Sequence, residues 1–309
     1  MNEHLHEAIN FTTLVRVLRQ SETTVEPLFE QLALQIDVNK PLIEHLDQYV
    51  KTISIPRDML LSQYRTVIDA FKALNTSDII MKRGDVSYPE QAFSDPYTPR
   101  FLYGRGNIDL LKLPIVAVIG THNPSREGRR NAHQAAQLLT QADYVISSSL
   151  ALGIDGIAHL TCLAMKKPTI AVIGTSLVSS YPAEHAELQR QIGEDGLVLS
   201  RFSPASETQK WFFPLRNRLM SSLSIASVVI EDRDGGKAVR QAEYALDQGR
   251  LVIIFKHTFE NRALLWPRRL SIRPGTLVVK DPSQIVTAIE RSRSGHAPQY
   301  VDPSQLTLF

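Results

Sequence analysis

Ile115-Val116-Ala117-Val118-Ile119-Gly120-Thr121-His122-Asn123-Pro124-Ser125-Arg126-Glu127-Gly128 is the stretch that decides the fold. Its first five residues are apolar without alternation, the pattern of a strand covered on both faces. Gly120 ends the run. Ser125 stands where a helix N-cap belongs, with Gly128 in the first helical turn. The unit recurs downstream. Apolar runs lie at 144–146, 169–173, 196–199, 226–230 and 251–255, separated by helix-compatible stretches such as 126–141 and 237–247. A late strand at 276–279 and a helix near 282–291 complete the series. This alternation predicts an α/β chain: a doubly wound, mostly parallel, Rossmann-like sheet.

Upstream the rhythm is helical. Leu14, Val17 and Leu18 fit one helix face, and Leu28, Phe29, Leu32 and Ala33 fit another. A further helix is expected from Met59 to Leu74, with Pro27 and Pro56 near helix starts. Residues 1–75 therefore read as a small helical domain. Residues 76–113 read as a connector, punctuated by Gly84-Asp85, Tyr88-Pro89, Asp95-Pro96 and Gly104-Arg105-Gly106. Residues 114–291 form the Rossmann-like domain, and 292–309 a polar tail.

Composition excludes several classes. One cysteine, Cys162, supports neither an internal disulfide nor a zinc cluster. The first ten residues carry no basic and apolar signal pattern, and no run reaches the length of a membrane span, so the chain reads as cytoplasmic with no membrane partner. The net charge of +2 is too mild to mark a nucleic-acid binder by itself.

Ligands of open parallel sheets sit at the carboxyl ends of strands, so the segments that follow the strands are the candidate site. Gly120, Thr121, His122, Ser125, Arg126 and Gly128 form the first, where a helix N-terminus favours phosphate. Ser148, Ser149 and Gly153 form the second. It also holds Asp155 and His159, four apart, readable as a catalytic pair or as a helix cap beside a packed imidazole. Neither a nucleophile nor a metal-ligand set accompanies them, so no catalytic residue and no metal site is assigned. Gly174 opens the third segment. Gly235, Gly236, Lys237 and Arg240 form the fourth, a further helix start suited to phosphate. It lacks the Walker A spacing, and no G-x-G-x-x-G follows the first strand, so no nucleotide cofactor is expected. Arg216, Asn217 and Arg218 supply guanidinium groups that match phosphate, with Trp211, Phe212 and Phe213 beside them as stacking surfaces.

Taken in order, these segments resemble the DNA-processing protein A (DprA/Smf) family. The likeness runs from about Lys82 to about Glu290, through Gly84-Asp85, Leu102-Tyr103-Gly104, Ala151-Leu152-Gly153-Ile154-Asp155, Tyr181-Pro182 and above all Phe213-Pro214-Leu215-Arg216-Asn217-Arg218-Leu219. The resemblance implies single-stranded DNA binding above the sheet, a homodimer, delivery of the strand to RecA, and no catalysis. Two family arginines are replaced, by His122 and Leu152. A nucleotide-binding sensor or nucleotide N-glycosidase of the same fold group is an alternative, although Glu243 lies one place too late for that enzyme's motif. A scaffold with a degenerate pocket is another. Gln305-Leu306-Thr307-Leu308-Phe309 is similar to the pentapeptide that docks on the bacterial sliding clamp, with Gln305, Leu306, Leu308 and Phe309 as its contacts.

Overall fold

A computed structural model describes residues 3–294, so the 305–309 pentapeptide lies outside the described residues. Seven parallel strands build the sheet: β3 (Ile115–Ile119), β4 (Val145–Ser148), β5 (Thr169–Ile173), β6 (Leu197–Ser200), β7 (Ala226–Val229), β8 (Leu251–Phe255) and β9 (Thr276–Val279). Two antiparallel strands, β1 (Ile79–Lys82) and β2 (Phe101–Gly106), extend one edge. The order is β1-β2-β6-β5-β4-β3-β7-β8-β9. Chain direction through the sheet reverses between β3 and β7, where Ile119 pairs with Val229.

The unbroken apolar runs follow from two-sided burial. Val116 and Val118 enter a core under α5 (Arg126–Gln141), α6 (Ile154–Ala164) and α11 (Ile285–Arg293). Ile115, Ala117 and Ile119 point the other way, into a core under α8 (Phe212–Leu223), α9 (Lys237–Asp247) and α10 (Trp266–Ser271). Each neighbouring residue serves the opposite face, so β3 has no polar position.

The stretch read as a connector carries β1 and β2. Ile80, Phe101 and Tyr103 share one core with Phe11, Leu14, Phe29 and Leu32 of the N-terminal helices, while Met81 and Leu102 turn to the opposite face. Those helices are α1 (Leu5–Leu18), α2 (Glu22–Ala33), α3 (Leu46–Ile53) and α4 (Arg57–Phe71). Pro27 is inside α2 rather than at its start, whereas Pro56 is the N-cap of α4. α7 (Ala186–Asp195) covers β5 and β6 on the same face as the N-terminal helices. No helix among the described residues is long and apolar enough to cross a membrane.

A buried ion cluster joins the helices to the sheet edge. Arg100, just before β2, donates to Glu7 Oε1 at 2.6 Å and also pairs with Glu30. Its guanidinium lies 5.0 Å from the Phe29 ring centre and 5.8 Å from those of Phe11 and Phe101. Glu7 is fully buried and also pairs with Lys82 Nζ at 2.9 Å. Removing one partner of such a cluster leaves a charge unpaired in a dry environment. Arg100→Ala is expected to lower the free energy of unfolding by about 3–5 kcal/mol, and Glu7→Gln added to it to recover part of the loss; urea titration measures both.

Candidate functional site

At the carboxyl ends of β3 and β4, beside the β3–β7 switch, lies a cavity of about 120 Å³. Gly120 and His122 come from the β3–α5 turn, Ser149 and Leu152 from the β4–α6 turn. Phe213, Arg216 and Asn217 come from the start of α8, and Lys237 and Gln241 from α9. Asp155 forms part of the wall, and Tyr181 and Pro182 close one side.

The turns are shaped by backbone crowding. A Cβ on Gly120 would lie 2.5 Å from the Ile154 side chain. Gly153 has φ +81°, and its Cβ would lie 2.4 Å from the carbonyl oxygens of Thr121 and His122. Only glycine suits that combination. Gly174 has Phe213 against it in the same way, at 2.8 Å.

Two helix starts read from the sequence as phosphate cradles hold the chain's own carboxylates instead. Glu231 Oε2 accepts from Ser125 N at 3.2 Å and Ser125 Oγ at 2.9 Å, at the N-terminus of α5. Ser125 Oγ in turn accepts from Gly128 N at 3.0 Å, the N-cap bond foreseen. Asp232 Oδ2 accepts from Ala238 N at 2.9 Å and Val239 N at 3.2 Å, at the N-terminus of α9. Gly128 and Gly236 leave the space these carboxylates fill, since a Cβ on either would meet the carboxylate at about 2 Å. A positive helix end already facing a carboxylate gains little from a second anion. Gly235, with φ +67°, only turns the chain. Asp234 caps α10 similarly, accepting from Trp266 N at 2.7 Å.

Positive charge therefore reaches the cavity through side chains. Arg216 is buried; its Nη1 donates to Val172 O at 2.9 Å and its Nε to Asn217 Oδ1 at 2.8 Å. Burial lowers it to about 10, so it remains charged at neutral pH. Lys237 Nζ and the Arg216 guanidinium lie 5.5 Å and 5.9 Å from the Phe213 ring centre, which places an aromatic ring between two cations. Gln241 is buried with its Nε2 unpaired. Burial, with Lys237 next, pushes His122 down, so its imidazole is neutral here.

The remaining expected residues fall elsewhere. Arg218 is on the far side of α8, with its Nε 3.0 Å from Asp95 Oδ2 and its guanidinium between the rings of Tyr97 and Tyr244. Arg126 and Arg240 are exposed outside the cavity, and Ser148 Oγ donates to Val118 O at 2.6 Å within the sheet. Thr121 N is held by Glu231 O at 2.7 Å. Sequence reasoning passed over Gln241, although its place one turn after Lys237 on α9 was a usable signal.

Asp155 and His159 form no pair. Ser149 Oγ donates to Asp155 Oδ2, while His159 Nε2 donates to Ser149 O at 3.0 Å and its Nδ1 lies 2.9 Å from Thr169 Oγ1. Burial drives Asp155 up to about 7 and His159 down to about 4. Among the described residues no group of three His, Cys, Asp or Glu is placed to hold a metal ion. Glu243 pairs with Arg269 at 2.7 Å outside the cavity.

Residues 79–290, more than half of the chain, match the family model of DNA recombination-mediator protein A. The chain belongs to that family. It is 39% identical over 166 residues to the DNA processing protein DprA of Streptococcus pneumoniae, covering 54% of this chain and 58% of that one. The chain spans 43% to 63% of the length of the first curated relatives it matches. The crystal structure of the S. pneumoniae protein superposes with a TM-score of 0.67 at 26% identity, over 92% of this chain and 95% of that one. A Helicobacter pylori DNA processing protein A, whose structure is described for its single-stranded DNA binding mode, shares the fold with a TM-score of 0.61 at 23% identity. That match covers 69% of this chain and 96% of the other. His122 and Leu152 both line the cavity.

The raised Asp155 group gives a test of the site's electrostatics. In the unfolded chain it ionises near 3.8; in the fold it holds its proton to about 7. Between those values the fold binds the extra proton, so stability falls as pH rises, and above 7 the loss is constant. Relative to Asp155→Asn, the wild type is expected to lose up to about 4 kcal/mol between pH 4 and pH 8, at about 1.4 kcal/mol per pH unit. Paired urea titrations across that range check it.

Proposed function

We propose that this protein binds single-stranded DNA in the cavity at the β3–β7 switch and acts in DNA uptake, recombination or repair without catalysing a reaction. One observation carries the reading: Arg216, buried and fixed by Val172 and Asn217, stands with Lys237 beside Phe213 in a cavity at the carboxyl edge that several strand-end segments share. A fixed guanidinium and an ammonium suit phosphate oxygens. Phe213 and Tyr181, with ring centres 5.5 Å apart, offer faces to a base. Relatives in Streptococcus pneumoniae and Bacillus subtilis carry the name DNA processing protein DprA, and the H. pylori relative is described as binding single-stranded DNA.

The reading extends to partners. The protein works as a homodimer in the cytoplasm, hands its strand to the RecA recombinase, and is tethered to the sliding clamp by residues 305–309.

Fluorescence anisotropy with a labelled single strand at about 50 mM salt, where phosphate contacts are strong, tests the DNA reading. Arg216→Ala is expected to weaken binding at least about tenfold, in keeping with the 1.5–3 kcal/mol of a charged hydrogen bond. Lys237→Ala should weaken it uniformly across sequences and reduce the salt slope by about one. No binding by the wild type rejects the proposal. Separately, the full chain should retain clamp in a size-exclusion co-elution, and a chain lacking residues 305–309 should not; equal co-elution sinks the tether.

A further inference from the structure

Beside the cavity runs a larger groove of about 780 Å³, between the N-terminal helices and the first turn of α8. Its most unusual residue is Arg201, which follows β6. Arg201 is 6% exposed, yet its guanidinium makes no hydrogen bond among the described residues. The nearest carboxylate oxygen, of Glu22, is 3.8 Å from its Nη2, beyond hydrogen-bond reach. A buried guanidinium with unspent donors is costly unless an oxygen-rich group meets it.

The rest of the groove suits a nucleotide. Trp211 is 57% exposed and stands edge-on to Phe212, which stacks on Phe202 with ring centres 3.8 Å apart. That stack fixes the indole's support. Arg16 and Arg19 add positive charge along α1 and its C-cap, against Glu22 and Glu207.

The groove and the cavity share a wall. Over the first two turns of α8 and its N-cap, Trp211, Phe212 and Leu215 line the groove, while Phe213, Arg216 and Asn217 line the cavity. No acidic residue occupies the α8 start, in contrast to the carboxylate-capped starts of α5 and α9.

We propose that this groove is a second nucleotide subsite, in which Arg201 takes a phosphate and Trp211 a base of the same single strand as it leaves the Arg216 cavity. The assignment rests on the DNA reading of that cavity. The strand, and not a free nucleotide, a peptide or a second copy, is its occupant, because the start of α8 makes the two sites continuous.

The full-length chain is titrated with a trinucleotide and with a strand of about 15 nucleotides. Anisotropy and tryptophan emission are followed together. Trp266, the other tryptophan, is fully buried, so an emission change lost in Trp211→Phe belongs to Trp211. The long strand should alter Trp211 emission and the trinucleotide should not. Trp211→Ala and Arg201→Gln should each weaken the long strand about 5- to 10-fold and leave the trinucleotide unchanged, while Arg216→Ala weakens both. Trp211→Ala changes an exposed side chain, so it keeps the test decisive should Arg201→Gln fail to fold. Normal strand binding with unchanged Trp211 emission and unaffected variants overturns the groove assignment alone. So does a Trp211 response to thymidine monophosphate, or to rising protein concentration without DNA, in place of the long strand. Absence of binding by either oligonucleotide overturns the cavity reading and this one with it.

Discussion

Burial of the parallel sheet on both faces constrains everything else in the molecule. Along β3, residues alternate between two dry cores, and the same holds for β5, β7 and β8, whose residues are buried throughout. Functional polar groups have nowhere to project from the body of such strands. They gather at the strand ends, where the chain turns into helices and where direction through the sheet reverses. The Arg216 cavity occupies such a place.

The acidic run Glu231-Asp232-Arg233-Asp234 then decides how an anion is received there. Its three carboxylates cap α5, α9 and α10 in turn. Helix starts that glycine-rich turns would otherwise open to phosphate are closed from within, and Gly128 and Gly236 exist to admit those carboxylates. The polar groups that remain at this edge are the side chains of Arg216, Lys237 and Gln241, which line the cavity. The cavity has one cationic wall, on α8 and α9, and across from it a wall that carries His122 and Leu152.

The strands of the doubly wound core were legible because two-sided burial writes itself as unbroken apolar runs. β1 and β2 were not, because Gly84-Asp85, Pro89 and Pro96 dominate the surrounding residues and each strand is short. The site was legible in part. Arg216 and Arg218 look equivalent in the sequence, but two positions along a helix point nearly opposite ways, so one enters the cavity and the other meets Asp95. The glycines after each strand were visible, while the Glu231 carboxylate that fills the space beside Gly128 was not, since its contact with Ser125 joins residues about a hundred positions apart. Asp155 and His159 were close in sequence, but Ser149 engages each separately: its hydroxyl donates to Asp155 and its carbonyl accepts from His159.

Arg100 lies outside both binding regions, yet it sets their spacing. By clamping α1 and α2 to the start of β2, which pairs with β6 ahead of Arg201, it removes the freedom of the helical layer to swing as a lid. The groove beside α8 is thus bounded by two layers, helical and sheet, that one buried ion cluster ties together.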